Sequence, residues 1–516
     1  MTKENTFLSQ LSRRQVLQAG VALGVFAAVS GGPSIAFAQS ETPKQGGTLR
    51  VAVPGSATGS LDPHRTQGFV ADIVRFTSLT DGLTEYLPDS TVGLVLAESF
   101  TANSDATEWT VKLHKGVKTH DGNEFVADDV IYTVERILDP KNPTKGSSLI
   151  GFVDPKAIEK VDDHTLVFKL KKPYGLFPNV WANRYLRMVP RNFDPAKPIA
   201  TGPFKFVSFA VGQESVFEAN EQYFRGRPPL DKVVLINVGE EVASINALRG
   251  GQVDISYTIP YTQAKVIEAD PGLHILNNPS TMSIPIYMRT DIEPFNDVRV
   301  RKAMMLIADR EQMVKVALSG YGLVGNDMNG RTVTPCATSA VPQRKQDIEE
   351  AKRLLAEAGK SGLKVDMIAY RGTAGMVECC QILAEQAKKA GVTINVKILE
   401  MAPFIANYPQ WTFGVDFLSD LYLPVATRSL LPGSPFNTAH WDDKEFNALQ
   451  EKAMASTDEG ERCDTIAKMR AIENERGGNL IWGFANVLNG YRDNVKGLVP
   501  YSVDSPLYYV RNIWLA

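Results

Sequence analysis

The length, composition and charge of the chain exclude several classes of protein. With 516 residues it is too long for a single hydrophobic core, so we expect two or three structural domains. Its composition, 44% hydrophobic and 22% charged, is that of a globular protein rather than a disordered one. The net charge of −3 argues against a nucleic-acid-binding protein, and no segment beyond the N-terminus is long and apolar enough to span a membrane.

The first forty residues have the pattern of an export signal. Arg13 and Arg14 precede an apolar run, 19–36, which is interrupted by glycines and a proline and ends in a small-x-small sequence at Ala38. This pattern predicts a twin-arginine signal peptide over residues 1–38, cleaved after Ala38, and therefore a location in the periplasm. The alternative is a short membrane anchor, against which the interruptions and the cleavage sequence argue.

Hydrophobic periodicity predicts alternating strands and helices in the first half of the mature chain. The predicted strands cover 46–53, 109–113, 166–170, 204–209, 215–218, 233–238 and 253–256, and the predicted helices cover 126–138 and 241–249. The second helix ends at a pair of glycines and lies between two strands. Such a strand–helix–strand unit implies parallel strands joined by a right-handed crossover.

The second half of the chain repeats this alternation. We predict helices over 297–319, 347–359, 374–390, 443–456 and 459–475, and strands over 364–370, 392–398 and 480–488. Asp347 and Glu350 have the spacing of a capping box at the start of the second of these helices. Two separate regions of alternating strands and helices indicate two α/β lobes.

Motifs of common catalytic and cofactor sites are missing from the sequence. It contains no His-Glu-x-x-His, Gly-x-Ser-x-Gly or Walker-type motif. The glycine run 320–325 fits the dinucleotide fingerprint, but it follows a predicted helix instead of a strand, so we interpret it as a helix stop. None of the six histidines has a metal-site spacing. We therefore predict no catalytic residue, no metal and no cofactor.

The four cysteines, Cys336, Cys379, Cys380 and Cys463, all lie in the mature chain. An oxidising compartment permits a disulfide, but four cysteines are too few for a disulfide framework. Sequence alone leaves their pairing open.

Six short stretches stand out along the mature chain. They are 96–100 with its continuation 109–130, then 201–204, 220–226, 251–255, 295–303 and 309–311. In this order they resemble the family 5 solute-binding proteins of ATP-driven importers, a group that includes dipeptide, oligopeptide, glutathione and nickel-chelate binders. One departure is Val126, where the family has a helix-capping threonine.

The resemblance implies an α/β fold with two lobes around the ligand, the periplasmic-binding-protein fold of type II, cluster C, with an extra α/β domain on the first lobe. It implies that 46–77, 200–283 and 494–516 form lobe I, that 78–199 form the extra domain, and that 284–493 form lobe II. Binding in this family proceeds by lobe closure on the ligand. The implied partners are the permease subunits of an ABC importer in the inner membrane, and the binding protein itself is expected to be a monomer without catalytic activity.

The stretch 417–424 is similar to the W-x-x-D-x-x-D-P segment of dipeptide binders, in which an aspartate binds the amino terminus of the peptide. The resemblance gives this role to Asp420 and keeps the aromatic residue as Phe417, whereas Leu423 replaces the second aspartate. A carboxylate suits the role because a buried ammonium group needs an anionic partner. The alternative is that Asp420 only caps a loop.

Arg371 is the predicted partner of a ligand carboxylate. It lies between a predicted strand and the start of a predicted helix, where a guanidinium and helix N–H groups favour an anion, and dipeptide binders have an arginine in this loop. The alternative is an ordinary solvent-exposed arginine. Tyr257, Tyr261 and Tyr422 are predicted to line the cleft.

Together these features predict a receptor for a short peptide or a related zwitterion. The same class of receptor with a metal chelate, an opine or an oligosaccharide as cargo is the alternative. An exported hydrolase on an α/β scaffold is the least favoured hypothesis.

Overall fold

The computed structural model describes residues 42–54, 59–331, 336, 341–408 and 410–516. The predicted signal peptide lies outside these residues. No helix of the described ranges is long and apolar enough to cross a membrane.

A seven-stranded sheet organises the first body of the protein. Its strands, from edge to edge, are Leu273–Asn278, Val487–Arg492, Ile255–Ser256, Thr48–Pro54, Lys232–Val238, Glu214–Ala219 and Phe204–Ala210. The central three are parallel, and the helix Glu241–Arg249 connects two of them, which confirms the predicted strand–helix–strand unit. Leu49, Val51 and Leu235 are fully buried in the core beneath this sheet.

A five-stranded sheet organises the second body. Its strands, in order, are Thr393–Leu399, Lys364–Tyr370, Phe413–Val415, Ile286–Met288 and Asn479–Leu480. The first two are parallel and joined by the helix Met376–Lys388, as predicted. The predicted capping residue Asp347 accepts the Glu350 N–H at 2.9 Å and begins the helix Ile348–Glu357.

The predicted helix over 297–319 is wrong in one respect. The segment forms two helices, Val298–Ile307 and Arg310–Ala317. The break occurs because Ala308 and Asp309 are extended and the Asp309 carboxylate accepts the Gln312 N–H at 3.0 Å, which makes Asp309 the N-cap of a new helix.

Two chain segments cross between the bodies and pair with each other. Residues 273–288 run antiparallel to 479–492 through the seven-stranded sheet, a small four-stranded sheet and the five-stranded sheet. The strands of the small sheet are Gly322–Val324, Gly483–Ala485, Met282–Ser283 and Leu418–Ser419. The predicted single strand over 480–488 is therefore wrong, because this segment contributes one short strand to each of three sheets.

A separate four-stranded antiparallel sheet organises a third body. In chain order this body follows the strand Thr48–Pro54 and precedes the strand Phe204–Ala210. Its strands, in order, are Ala97–Ala102, Glu108–Leu113, Thr165–Leu170 and Val153–Asp162. The helix Ala127–Ile137 packs on it. Although Val126 offers no hydroxyl cap, the Asp129 carboxylate accepts the Val126 N–H at 2.9 Å and satisfies this helix end.

The remaining elements connect these bodies. Helices cover Val70–Leu79, Phe177–Val180, Ala264–Glu268, Met401–Ala406, Tyr422–Ser429, Lys444–Ala455 and Glu459–Arg476, with 3-10 turns at Arg184–Leu186, Tyr261–Gln263 and Pro506–Asn512 and paired strands at Thr84–Tyr86 with Val92–Leu94 and at Val495–Lys496 with Trp514–Leu515. A disulfide joins Cys336 to Cys463, while Cys379 and Cys380 are buried free thiols.

Candidate ligand-binding site

The edge of the small four-stranded sheet carries the segment that the sequence singled out. Leu418–Ser419 pairs with Met282–Ser283 on one side only, so within the described residues its outer side has no neighbouring strand. Phe417, just before it, is 49% exposed. The strand leads through Asp420 into the helix Tyr422–Ser429.

Asp420 is a nearly buried carboxylate that is only loosely compensated. Its side chain is 12% exposed, and its nearest cation, Arg428, lies 3.5 Å away, which is longer than a charge-assisted hydrogen bond. Its Oδ1 accepts the Leu421 N–H at 2.9 Å. Burial raises the pKa of Asp420, while Arg428 and Arg184 oppose the rise. A cation that reaches this carboxylate gains a partner that the protein itself supplies only in part.

Residues far from Asp420 in the sequence complete its surroundings. Burial raises the pKa of both Tyr86 and Tyr174, and the charge of Asp420 adds to each rise, so both hydroxyls stay protonated and can donate hydrogen bonds. Arg184 and Asp504, which lie 3.2 Å apart, also act on Asp420. Sequence reasoning missed all four residues, because no local pattern links them to Asp420.

Of the predicted wall residues, Tyr257 belongs to this cluster. Burial raises its pKa, and the neighbouring Ser505, Arg184 and Tyr508 oppose the rise. Tyr257 and Asp420 therefore share Arg184 and Asp504 as electrostatic neighbours, although each follows a strand of a different sheet.

The other predicted residues have different surroundings. The buried Tyr422 donates its hydroxyl to Glu473 Oε2 at 3.0 Å, and this carboxylate has its pKa raised to about 7 by burial. Tyr261 donates to the Asn486 carbonyl at 2.6 Å and stacks on Tyr321, beside the crossing segments. Arg371 is exposed and has no polar side-chain contact within the part of the chain that the structure describes.

The glycine run 320–325 has the wrong order of elements for a dinucleotide site. It follows the helix Arg310–Ala317 and contains the strand Gly322–Val324, whereas a phosphate-binding turn lies between a strand and the start of a helix. Gly325 is needed for packing, since a Cβ there would lie 2.2 Å from the Ile481 carbonyl oxygen. In the described ranges, no group of three or more histidine, cysteine, aspartate or glutamate residues could hold a metal ion.

Comparison with known proteins adds to this geometry. The sequence model of the bacterial extracellular solute-binding proteins, family 5 Middle, matches residues 91–424. The oligopeptide-binding protein AppA of Bacillus subtilis is 30% identical over 442 residues, which cover 80% of this chain and 80% of that protein. The glutathione-binding protein GsiB of Pectobacterium atrosepticum is 27% identical over 439 residues, covering 80% and 84%.

A solved structure agrees with this assignment. The oligopeptide-binding protein AppA from Bacillus subtilis in complex with a nonapeptide aligns with a TM-score of 0.73 and 25% identity, covering 92% of this chain and 100% of that one. The predicted two-lobed α/β fold is thereby confirmed. This chain belongs to the bacterial extracellular solute-binding proteins of family 5.

Proposed function

We propose that this protein captures a short peptide or a related zwitterion between its two lobes and delivers it to the permease of an ABC importer. The observation that carries the proposal is the loosely compensated carboxylate of Asp420, which lies where lobe II faces the extra domain and the C-terminal segment. The ammonium group of a ligand would supply the missing charge. Relatives whose names state oligopeptide and glutathione binding support this cargo.

The lobes of the proposed mechanism follow the sheets. Lobe I is 46–77, 200–283 and 494–516, the extra domain is 78–199, and lobe II is 284–493. We amend the last boundary and propose that lobe II is 284–486, because Val487–Arg492 pairs within the seven-stranded sheet of lobe I. The crossing segments 273–288 and 479–492 are the proposed hinge, around which the lobes close on the ligand.

The free edge of Leu418–Ser419 gives an extended peptide a place to bind. Its unpaired outer side offers backbone groups to a ligand strand, a mode that supplies affinity without regard to side chains. Phe417, Tyr257 and Tyr261 are proposed wall residues beside this edge. The buried Tyr422 is proposed to support the wall beneath this edge through its hydrogen bond to Glu473. Arg371 is a proposed contact for a ligand carboxylate.

The proposal includes export and the absence of catalysis. Residues 1–38 are proposed to be a twin-arginine signal peptide cleaved after Ala38, which would release a monomer into the periplasm. We propose no catalytic activity, because the transport role requires only binding and release of the cargo. The motifs of common hydrolases are also missing from the sequence.

Thermal-shift measurements and calorimetry test the proposed cargo. We expect dialanine, trialanine or glutathione to raise the melting temperature of the mature protein, while nickel–histidine and maltose do not. If no peptide stabilises the protein and one of the other compounds does, the proposed cargo is wrong.

Asp420→Asn tests the proposed role of the carboxylate. We expect peptide affinity to fall by about 2–5 kcal/mol, roughly 30- to 5,000-fold, because the ligand ammonium loses its charged partner. Asp366→Asn is the matched control, since Asp366 is an exposed lobe II aspartate paired with Lys397. Equal affinities of the two variants would remove Asp420 from the site.

A further inference from the structure

Arg331 of lobe II lies beside Leu421 and contacts the C-terminal segment of lobe I. Its backbone forms a parallel bridge with Leu421, the residue after Asp420. Its Nη1 lies 3.4 Å from the Ser502 Oγ in the C-terminal segment of lobe I. The same serine accepts the Thr281 N–H through its carbonyl at 3.0 Å, so Ser502 is held at the hinge side of lobe I.

The charge of Arg331 has no carboxylate partner in the described ranges. Some buried arginines have one, since Arg75 lies 2.7 Å from Asp72 and Arg310 lies 2.5 Å from Asp327. Buried Arg301 has none among the described residues but donates instead to several backbone carbonyls. The half-buried Arg331 has a single described side-chain hydrogen bond, the long one to Ser502. The neighbouring sequence, 332–340, contains no aspartate or glutamate.

Electrostatics set Arg331 apart in the same way. Burial lowers the pKa of Arg331, and no acidic group opposes that effect. Each of the other arginines with a lowered pKa, for example Arg344 beside Asp327, has an acidic group that raises it again. A half-buried cation without a counter-charge is costly, and a ligand anion would remove that cost.

We propose that Arg331 is the anion-binding residue of the cleft and holds a carboxylate of the ligand whose amino group is bound by Asp420. The inference rests on the proposed function and specifies its ligand. A guanidinium suits this role because its planar fork can bind a carboxylate through two hydrogen bonds. Arg371, whose exposed side chain was predicted from the sequence to bind a ligand carboxylate, is the competing candidate for this role.

The position of Arg331 also limits the length of the ligand. Paired strands lie about 4.8 Å apart, and an extended peptide advances about 3.4 Å per residue. Arg331 pairs through its backbone with the residue next to Asp420, so the two side chains leave the chain from neighbouring positions, although their charged ends are not in contact. The proposed cargo is therefore a ligand short enough to place one charge on each side chain, such as a dipeptide, a tripeptide or an amino-acid conjugate.

Arg331→Gln, combined with a change in the ligand, tests the inference. Calorimetry would compare dialanine and trialanine with their C-terminal amides on the wild type and on the variant. We expect the wild type to bind the free acids about 10- to 100-fold more tightly than the amides, because a charged hydrogen-bonded pair is lost in the amide. The variant should bind acid and amide within about threefold of each other.

Two further arginine variants complete the experiment. Arg353→Gln removes one positive charge from an exposed lobe II helix and should keep the wild-type preference for the acid. If Arg371→Gln abolishes the preference and Arg331→Gln does not, the carboxylate is bound by Arg371 and the inference is wrong. The unliganded melting temperature checks folding, and Arg331→Lys, which keeps the charge and loses the fork, replaces Arg331→Gln should the latter not fold; it should weaken the preference.

The outcomes separate the two proposals. If no peptide binds the wild type, the proposed function fails and the role of Arg331 fails with it. If peptides bind and Arg331→Gln keeps the full preference for the free acid, the proposed function stands and only the role of Arg331 is overturned.

Discussion

Lobe I has two neighbours, and it is joined to them in different ways. Its junction with the extra domain is built from buried charges: Arg136 lies 2.5 Å from Asp62, with side chains that are 8% and 6% exposed. The Arg511–Glu85 pair at 2.7 Å lies at the same junction. Removing one member of such a pair leaves an uncompensated buried charge, so this junction is fixed.

The junction of lobe I with lobe II contains a different kind of contact. The two crossing segments pair through backbone hydrogen bonds, and among the described residues no ion pair spans from 284–486 to the rest of the chain. The charges near this junction, Asp420 and Arg331, are instead left with weak partners. In the proposed mechanism, this difference would keep lobe I and the extra domain together and let lobe II close on a charged ligand.

The largest effect is expected from breaking the fixed junction. Arg136→Met strands the Asp62 carboxylate and removes the 2.6 Å contact between Arg136 Nη1 and His64 Nδ1. We expect the free energy of unfolding to fall by about 3–5 kcal/mol in urea denaturation. Lys169→Met, which breaks an exposed pair with Glu159, should cost less than about 1 kcal/mol. Similar losses of unfolding free energy in both variants would show that the buried pair does not fix the junction.

His64 should make the fixed junction sensitive to pH. Its Nε2 lies 2.8 Å from the Arg187 carbonyl and its Nδ1 faces Arg136, so the neutral ring with hydrogen on Nε2 satisfies both contacts. Burial, followed by the charge of Arg136, lowers the pKa of His64 to about 4, below the usual 6.5. The unfolded chain therefore binds a proton between pH 6.5 and 4 that the folded protein does not, and stability falls as the pH drops through this window.

His64→Gln isolates this contribution. Between pH 7 and pH 4 the wild type should lose on the order of 3 kcal/mol more unfolding free energy than the variant. The pKa of His120 is also lowered to about 4, mainly by burial, but His120 is present in both proteins and its effect cancels. Urea denaturation at several pH values measures the difference, and parallel pH profiles would show that His64 does not titrate in this window.

Local sequence patterns predicted the elements of both junctions but not the contacts between them. The unit of Lys364–Tyr370, its helix and Thr393–Leu399 follows from hydrophobic periodicity and a glycine stop. The helix break at Asp309 had a visible signal, an aspartate followed by Arg-Glu-Gln, which periodicity outweighed. The division of 480–488 among three sheets had none, because strand pairing is decided by distant segments.

The site shows the same limit. Asp420 was predicted through the resemblance of 417–424 to a segment of dipeptide binders, and Tyr257 was predicted only as a wall residue. Tyr86, Tyr174 and Asp504 were not, because they come from parts of the chain that meet only when the lobes are assembled. The surroundings of Arg331 give no signal in the sequence, because the lack of a described carboxylate partner is a property of the fold.

The smallest expected effect concerns a contact between the extra domain and lobe II. There the Gly175 N–H of the extra domain donates to the Met454 carbonyl of lobe II at 2.7 Å. A Cβ on Gly175 would lie 2.0 Å from the Ser456 carbonyl oxygen, so Gly175→Ala prevents this approach without touching the core of either lobe. The variant should favour a form in which lobe II is separated from the extra domain.

We expect Gly175→Ala to weaken peptide binding by about 10-fold, because part of the binding free energy is then spent on a less populated closed form. Its unliganded melting temperature should stay near that of the wild type, and small-angle scattering of the unliganded variant should give a larger radius of gyration. Gly239→Ala, at a position with open space around its Cβ, is the control. If Gly175→Ala binds peptide as tightly as this control, the contact between Gly175 and lobe II plays no part in the proposed closure.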